Sequence, residues 1–320
     1  MVECKKERDR SMKVVFMGTP DFSVGALEAL VEAGHEVTAV VTQPDKQKGR
    51  SLEMSVSPVK ECALAHNIPV LQPLKIREKE AVAELFEYEA DLYVVAAFGQ
   101  ILSKEILEHP QYGCVNVHAS LLPKYRGAAP IQWSIIDGEK VTGVTLMQMN
   151  EGLDTGDMLA KVEVEILPTD TGDSLHDKLM EAGAKLMVDK LGAIFDRTIE
   201  AIKQCDEESN YAKRLTKELG ELDFKKNADL LDRLIRGLNS WPGAYTSLDG
   251  KLLKIWEACV TDEESEGVPG TVARTTKDCI YVNTGDKLLG LTMVQLQGKK
   301  RMPVGDFLRG YEVKAGTKLG

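Results

Sequence analysis

The sequence predicts an α/β fold in two parts, a larger N-terminal domain built on a mostly parallel sheet and a smaller C-terminal β domain. Apolar strand-like runs alternate with helical patterns through about the first 200 residues, as in βαβ proteins. One of these runs, Asp91–Ala97, is apolar on both faces after its first residue, which is typical of a parallel strand buried on both faces. From Thr246 onward, short alternating runs separated by turns indicate a small barrel or sandwich.

The first βαβ unit opens the N-terminal domain. Lys13–Met17 is an apolar run, Phe22–Ala33 has a helical pattern that Gly34 ends, and Val37–Thr42 is a second buried strand. This order implies parallel strands with right-handed crossovers. The intervening turn, Gly18–Pro20, lacks the glycines that let a dinucleotide pyrophosphate approach, so a nicotinamide-dependent oxidoreductase is disfavoured and no NAD is expected.

The later elements of this domain keep the same alternation. Helical patterns cover Pro58–His66, Glu78–Tyr88, Ser103–Glu108, Ala128–Asp137 and Ser174–Thr198. Strand patterns cover Val70–Gln72, Asp91–Ala97, the run around Val115–Val117, Gly143–Met149 and Leu159–Ile166. Between the second strand and the next helix, residues 43–57 form a long polar loop, a type of segment that is often functional.

The domain limits follow from a shift in composition. Residues 1–12 are a charged tail, 13–200 the first domain, 201–210 an acidic linker and 211–320 the second domain. In the second domain an amphipathic helix, Asp229–Arg236, precedes four strand patterns. These are Leu252–Ala258, Gly270–Arg274, Cys279–Thr284 and Lys287–Leu296.

Composition excludes several classes of protein. The chain is 43% hydrophobic and 28% charged, and no apolar run approaches the roughly 20 residues that a membrane helix needs. Six cysteines are scattered without a Cys-x-x-Cys pair, which disfavours a zinc knuckle and a disulfide framework. They are Cys4, Cys62, Cys114, Cys205, Cys259 and Cys279. We expect a cytoplasmic monomer that does not bind membranes.

The stretch from Gly113 to Asp157 carries the candidate chemistry. Asn116 and His118 alternate with apolar residues, so a strand would place both on one face. A glycine-rich turn with several carboxylates, including Asp154, follows the next strand. Taken singly, a strand histidine is usually a core residue and such an aspartate usually closes a turn. Together, an amide, an imidazole and a carboxylate favour an acid/base site.

Two other readings of this stretch are disfavoured. Glu151, Asp154 and Asp157 do not have the spacing of an EF-hand loop, and no metal is expected. Cys114 shares the strand face of Asn116, but its apolar surroundings supply none of the positive charge that activates a thiol. We therefore interpret Cys114 as a packing residue.

Three sequence strings carry a resemblance to a known family. Asn-Val-His-Ala-Ser-Leu-Leu-Pro at 116–123, Tyr-Arg-Gly-Ala-Ala-Pro-Ile-Gln at 125–132 and Gly-Leu-Asp-Thr-Gly-Asp at 152–157 resemble the 10-formyltetrahydrofolate-dependent formyltransferases. The resemblance extends from Val14 to about Gly320. It implies a Rossmann-like formyltransferase domain, an OB-like C-terminal barrel, and formyl transfer from 10-formyltetrahydrofolate to the α-amine of methionyl-initiator tRNA in translation initiation.

The chemistry of formyl transfer agrees with the catalytic residues that the resemblance implies. The carbonyl becomes an oxyanion and the amine must lose a proton. Asn116 can donate to the oxyanion, His118 can take the proton near neutral pH, and Asp154 can orient His118 or manage the proton through water. Whether His118 or Asp154 is the primary base is left open by the sequence.

The resemblance also implies binding residues. The folate site would be lined by Ser120, Leu121, Leu122 and Pro123, with Phe98, Gly99 and Gln100 beside it. The tRNA would meet Lys46, Lys48 and Arg50 in the polar loop, and Lys299, Lys300 and Arg301 near the C-terminus. The chain carries a net charge of −10, but its last fifty or so residues have more lysine and arginine than acid, which suits phosphate contacts.

Three alternatives differ in class or acceptor. A formyltransferase acting on glycinamide ribonucleotide, an amino sugar or water would use the same chemistry, but the basic loop and the C-terminal domain favour tRNA. A non-catalytic nucleic-acid-binding protein on an enzyme scaffold is disfavoured because Asn116, His118 and Asp154 are all present. A nicotinamide-dependent oxidoreductase is the remaining enzyme class.

Overall fold

The computed structural model describes residues 11–48 and 53–320. The chain divides into two compact units, each made of segments that are separated in the sequence. Unit 1 comprises Met1–Gly127, Val141–Glu165 and His176–Tyr211; unit 2 comprises Ala128–Lys140, Ile166–Leu175 and Ala212–Gly320. The domain limits at residues 200 and 210 stay a prediction, and the first ten residues of the predicted tail lie outside the described residues.

The predicted strands and helices occur in the predicted order, with four short strands added. The elements up to residue 212 are β1 (Lys13–Gly18), α1 (Phe22–Glu32), β2 (Glu36–Val41), β3 (Lys46–Lys48), β4 (Glu53–Ser55), α2 (Pro58–Ala65), β5 (Val70–Leu71), α3 (Lys79–Phe86), β6 (Leu92–Ala96), α4 (Lys104–Glu108), β7 (Cys114–His118), β8 (Arg126–Gly127), α5 (Pro130–Ile136), β9 (Val141–Gln148), β10 (Met158–Glu165), α6 (Gly172–Phe195) and β11 (Tyr211–Ala212). The added short strands are β3, β4, β8 and β11. In the described residues no helix has both the length and the apolar character that crossing a membrane requires.

Seven strands of unit 1 form one sheet in the order β10-β9-β7-β6-β1-β2-β5. The five strands from β7 to β5 run parallel to one another. β9 is antiparallel to both of its neighbours, β7 and β10. The mostly parallel sheet is therefore confirmed. Because the chain leaves β1 in one direction for β2 and later returns to its other side for β6, the strand order reverses between β1 and β6. Ligands of open α/β sheets bind at the carboxyl ends of strands at such a point.

The sheet of unit 1 is buried on both faces. On one face Val15, Met17, Tyr93 and Val95 pack in a core with residues of α3 and α4, such as Leu85 and Ile106. The opposite face contacts α6, where Gly183 allows close approach to Val117 of β7. Helices on both faces explain why these strands are apolar throughout rather than alternating.

The polar segment 43–57 is more regular than the predicted loop. β3 and β4 pair as an antiparallel hairpin, with Lys46 opposite Ser55. Both strands are short and polar, so they lack the apolar alternation that identifies a strand in a sequence. The base of the hairpin is held by Lys60, whose Nζ donates to Asp45 Oδ2 at 2.5 Å and to Gln72 Oε1 at 2.7 Å.

Unit 2 is built on an antiparallel sheet of six strands. Its elements are α7 (Ala228–Gly237), β12 (Ala244–Leu248), β13 (Lys251–Glu264), β14 (Val272–Thr275), β15 (Ile280–Asn283), β16 (Lys287–Leu296), β17 (Met302–Pro303) and α8 (Val304–Gly310). Five of the strands lie in the order β12-β13-β16-β15-β14, and the short sixth strand, β17, pairs with β16. Leu319 bridges Leu248 at one edge, and Lys318 bridges Thr271 beside the other, so the C-terminus closes the sheet as a barrel requires.

The core of unit 2 is enclosed by this sheet and by α7. Leu231 and Ile235 of α7 pack with Leu253, Ile255 and other strand residues. The predicted amphipathic helix and the predicted C-terminal β domain are thus confirmed, the latter as an antiparallel sheet. Helix α8 was not predicted, because it is short and contains Gly305 and Gly310, two residues that disfavour helices.

Candidate active site

Asn116 and His118 lie at the carboxyl end of β7, one strand away from the point where the strand order reverses. Asn116 pairs with Met147 of β9 and His118 with Thr145, and β7 runs parallel to β6. Their alternate positions put both side chains on one face of the strand, about 7 Å apart along it. Both are buried, with 9% and 6% of their surface exposed.

The hydrogen bonds of His118 identify its basic atom. Nε2 lies 2.9 Å from the carbonyl oxygen of Tyr125. A carbonyl can only accept, so Nε2 carries the hydrogen and the lone pair of the neutral ring is on Nδ1. Nδ1 lies 3.8 Å from Asp154 Oδ1. The structure therefore brings His118 and Asp154 together, with the basic nitrogen facing the carboxylate.

The carboxylate of Asp154 is held by a backbone hydrogen bond on the side away from His118. Its Oδ2 accepts a hydrogen bond from the N–H of Gly127 at 2.8 Å. Asp154, Tyr125 and Ala97 have φ angles of +52°, +59° and +43°, a region that non-glycine residues seldom occupy. Such backbone conformations persist where surrounding contacts enforce them, and they concentrate at functional sites.

The side-chain amide of Asn116 has no hydrogen-bond partner among the residues that the structure describes. Its amide atoms are not among the described polar atoms that are both fully buried and unpaired, so the amide is open to a ligand or to water. A ligand oxygen beside His118 would satisfy it. Asn116 is thus available as a hydrogen-bond donor, the role that the sequence predicts.

Gln204 anchors the loop that carries Asp154. Its Nε2 donates to the carbonyl oxygens of Asp154 at 2.9 Å and Gly156 at 2.7 Å, and its Oε1 accepts from Arg126 Nε at 3.0 Å. Asn210 Oδ1 accepts from the N–H of Tyr125. Both residues lie in the predicted linker 201–210, which belongs to unit 1. The sequence does not identify Gln204 and Asn210 as site residues, because nothing local distinguishes an anchoring amide from a solvated one.

We expect Gln204→Ala to lower kcat at least about 10-fold, because a small misplacement of a catalytic group can reduce the rate as much as 100-fold. Binding of substrates should change little, so kcat should fall while KM stays near its original value. Gln297→Ala, which removes an amide from unit 2, is the matched control. Unchanged kcat in Gln204→Ala would show that the loop keeps its position without this anchor.

The segment Ser120–Pro123 is fastened to β9 by Thr145. Thr145 Oγ1 accepts from the N–H of Leu122 at 3.1 Å and donates to the carbonyl oxygen of Ser120 at 2.7 Å. The side chains of Ser120 and Leu122 are fully buried, and Leu122 packs against Met147 and Met158. A ligand at this segment would therefore meet its backbone and the half-buried side chains of Leu121 and Pro123.

Lys161 reaches this segment from β10. Its Nζ donates to the carbonyl oxygen of Leu122, and burial lowers the pKa of Lys161. This contact fixes the direction of the Leu122 carbonyl. Lys161 was not singled out in the sequence, since it occupies an ordinary polar position of an alternating strand.

Phe98, Gly99 and Gln100 form the turn that follows β6. The carbonyl oxygen of Phe98 accepts from Thr19 Oγ1 and from Gln43 Nε2, each at 3.2 Å, while its ring lies in the core. Gln100 is engaged elsewhere: its Oε1 accepts from the N–H of Ile76 at 2.7 Å, and its Nε2 donates to Pro73 at 3.0 Å. Gly99, with φ of +80°, is the exposed part of the turn.

The predicted tRNA-binding residues lie in two places. In unit 1, Lys46 is exposed at the start of β3; the side chain of Lys48 is not described, and Arg50 lies outside the described residues. In unit 2, Lys299 and Lys300 are exposed in the turn between β16 and β17.

Arg301 belongs to an aromatic patch on unit 2 that the sequence did not reveal. Its guanidinium lies 4.8 Å from the ring centroid of Trp256 and donates to Glu257 Oε1 at 2.7 Å. Lys254 Nζ lies 5.6 Å from the same ring centroid. We call Lys254, Trp256 and Arg301 the Trp256 patch. Its members come from β13 and the segment after β16, so only strand pairing brings them together.

Comparisons with known proteins identify relatives over nearly the whole chain. A family model described as "Formyl transferase" matches residues 12–191, and one described as "Formyl transferase, C-terminal domain" matches residues 214–312. A protein of Agathobacter rectalis named methionyl-tRNA formyltransferase is 57% identical over 96% of this chain and 99% of its own length. A protein of the same name from Lachnospira eligens is 54% identical over 97% of this chain and 100% of its own.

A solved structure shares the fold at much lower identity. The N-formyltransferase of Helicobacter canadensis, solved with folinic acid and dTDP-3-aminofucose, superposes with a TM-score of 0.66 at 21% identity, covering 88% of this chain and 99% of that one. The fold of most of this chain is therefore also found in a solved structure. This chain belongs to the formyl transferase family, among the methionyl-tRNA formyltransferases.

Proposed function

We propose that this protein transfers the formyl group of 10-formyltetrahydrofolate to the α-amine of methionyl-initiator tRNA, as part of translation initiation in the cytoplasm. The observation that carries the proposal is the near full-length identity of 57% to a protein named methionyl-tRNA formyltransferase. The arrangement of Asn116, His118 and Asp154 supports it, because these groups supply what acyl transfer to an amine requires.

Asn116 acts on the formyl oxygen. When the amine nitrogen uses its lone pair to bond to the formyl carbon, the π electrons of the carbonyl move to oxygen and leave an oxyanion. The free amide of Asn116 donates to this oxygen, and its location in a nearly buried site strengthens the hydrogen bond. Donation strengthens as the negative charge develops, so it lowers the barrier rather than only aiding binding.

His118 and Asp154 act on the proton. Bond formation turns the amine into an ammonium, which must lose a proton before it can become an amide nitrogen. His118 accepts this proton at Nδ1, and Asp154 then faces an imidazolium instead of a lone pair. The oxyanion then re-forms the carbonyl double bond as the carbon–nitrogen bond to folate breaks, and the electron pair of that bond goes to N10, which takes the proton held by His118. The products are formylmethionyl-tRNA and tetrahydrofolate.

The residues near His118 fit a folate donor. The segment Ser120–Pro123 presents backbone groups and two half-buried side chains, Leu121 and Pro123, held in place by Thr145 and Lys161. The exposed turn at Gly99 lies at the neighbouring strand end. A flat heterocycle is commonly bound by apolar contacts and by a few fixed polar groups, and this site offers both.

Basic residues in each unit favour tRNA as the acceptor of the formyl group. Lys46 stands on a hairpin whose base is anchored through Asp45 and Lys60, which makes it a defined contact for phosphate. In unit 2, the Trp256 patch combines an aromatic ring with two cations, the combination that binds unstacked bases and phosphates. Exposed Lys299 and Lys300 extend the positive surface.

The test is a formylation assay with the purified full-length chain, 10-formyltetrahydrofolate and methionyl-initiator tRNA. Parallel reactions contain glycinamide ribonucleotide, an amino sugar nucleotide or no acceptor. We expect formylmethionyl-tRNA to form, and to depend on His118. Formyl loss without an amine would indicate a hydrolase, and turnover with a small acceptor alone would overturn the tRNA assignment.

Reversing the charge of Lys299 and Lys300 should weaken use of tRNA. We expect the Lys299→Glu/Lys300→Glu variant to raise the KM for tRNA. The slope of log binding constant against log salt concentration should become shallower by up to about 2, since each lost phosphate contact removes about 0.9 from it. Lys225→Glu/Lys226→Glu carries the same charge change on another exposed part of unit 2 and serves as control. Equal salt slopes in the two variants would show that Lys299 and Lys300 do not contact tRNA.

A further inference from the structure

A group of potential metal ligands lies between α1 and α2 of unit 1. Glu28 belongs to α1, Cys62 to α2, and His66 follows the last residue of α2. One ligand atom from each residue, a carboxylate oxygen, a sulfur and an imidazole nitrogen, lies within 4.8 Å of the other two. Among the described residues, this is the one set of three or more His, Cys, Asp or Glu side chains with ligand atoms this close.

The helices determine this arrangement. Cys62 and His66 are four residues apart, so they occupy the same face of α2. α1 packs against α2 and directs Glu28 toward them, which places Cys62 Sγ 4.0 Å from Glu28 Oε1. Glu28 and His66 are exposed, while Cys62 is buried. The group therefore combines one buried ligand atom with two side chains that solvent reaches.

The free thiol has little chemistry of its own. Cys62 is buried and its sulfur lies beside the carboxylate of Glu28, a setting that does not activate a thiol as a nucleophile. Binding of a cation by the Cys62 thiolate, together with Glu28 and His66, is a role that uses all three side chains. The mechanism proposed above uses none of them.

We propose that Glu28, Cys62 and His66 bind a divalent cation of the zinc type, with water as the fourth ligand. Sulfur and imidazole nitrogen favour Zn²⁺ over Mg²⁺ and Ca²⁺, which prefer oxygen. Zinc bonds of about 2.0–2.3 Å place tetrahedral ligand atoms roughly 3.3–3.8 Å apart, so the three atoms, which lie within 4.8 Å of one another, must move only slightly closer to bind an ion. The ion would fasten α1 to α2, whose Lys60 holds the base of the hairpin β3–β4. This site is separate from catalysis, for which the sequence predicts no metal.

The test is a zinc titration of the tag-free full-length chain in competition with a chromophoric chelator, together with Co²⁺ as a spectroscopic probe. We expect one tight equivalent of Zn²⁺ and a cobalt–thiolate charge-transfer band. Cys62→Ser should abolish that band, and His66→Gln should weaken zinc affinity at least about 10-fold, since even outer-shell changes at zinc sites cost that much. Cys205→Ser, which removes an exposed thiol elsewhere, should bind as the parent does.

The outcomes separate binding from misfolding. His66 is exposed, so His66→Gln should fold normally even if Cys62→Ser does not. Zinc should raise the Tm of the parent and of Cys205→Ser more than that of His66→Gln, because a ligand stabilises the state that binds it. Absence of a tight equivalent in the parent, or unchanged affinity in His66→Gln, would overturn the site.

Discussion

Replacing His118 with alanine is expected to lower kcat for formyl transfer by about 10²- to 10⁴-fold, the usual contribution of a general base. The imidazole Nδ1 is the basic atom facing Asp154, and the alanine leaves no group in its place to accept the proton of the amine. Binding of folate and tRNA should stay near normal. Single-turnover formylation and separate binding titrations would measure both quantities.

The partnership of His118 with Asp154 is tested by a double-mutant cycle. Asp154→Asn keeps the shape of the side chain but removes the charge that stabilises the imidazolium. If the two groups handle one proton together, the double variant should be little slower than His118→Ala alone, because residues that act as a unit are strongly non-additive. Fully additive losses would mean that the two residues serve different steps.

The histidine experiment also has a matched control. His35 lies in the turn between α1 and β2, at the amino ends of the parallel strands and so at the edge of the sheet opposite the catalytic residues. His35→Ala should keep the kcat of the parent. A comparable loss in both variants would indicate that kcat reports general damage rather than the role of His118.

Replacing Asn116 with alanine should lower kcat by about 10²- to 10³-fold, the cost of removing one oxyanion donor. Its amide has no partner in the described residues, so the substitution breaks no hydrogen bond within them and should not destabilise the fold through lost pairing. The expected signature is a reduced kcat with an unchanged KM for both substrates and an unchanged Tm.

Asn116→Asp distinguishes donation from packing. Aspartate has nearly the same shape, but a carboxylate cannot donate and repels the developing oxyanion. We expect this variant to be at least as slow as Asn116→Ala. If Asn116→Asp retained most of the activity, the side chain would matter for its volume, and another donor would have to stabilise the oxyanion.

Local patterns of apolar and polar residues predicted the main strands and helices. The apolar runs around Met17 and Val94 identified parallel strands because both of their faces are covered, and the alternation in β7 placed Asn116 and His118 on one face. The hairpin β3–β4 and helix α8 were missed, since polar strands and glycine-containing helices lack the local signal.

The sequence by itself determined the class of fold, the order of the elements and the strand that carries Asn116 and His118, because period and turn chemistry are local properties. Only the tertiary structure decided which residues support them. Gln204 reaches the Asp154 loop across 50 positions, and Lys161 reaches Leu122 across 39. The Trp256 patch and the Glu28–Cys62–His66 group likewise form only when separate elements pack. A contact between distant residues depends on the free energy of the whole fold, so no local pattern records it.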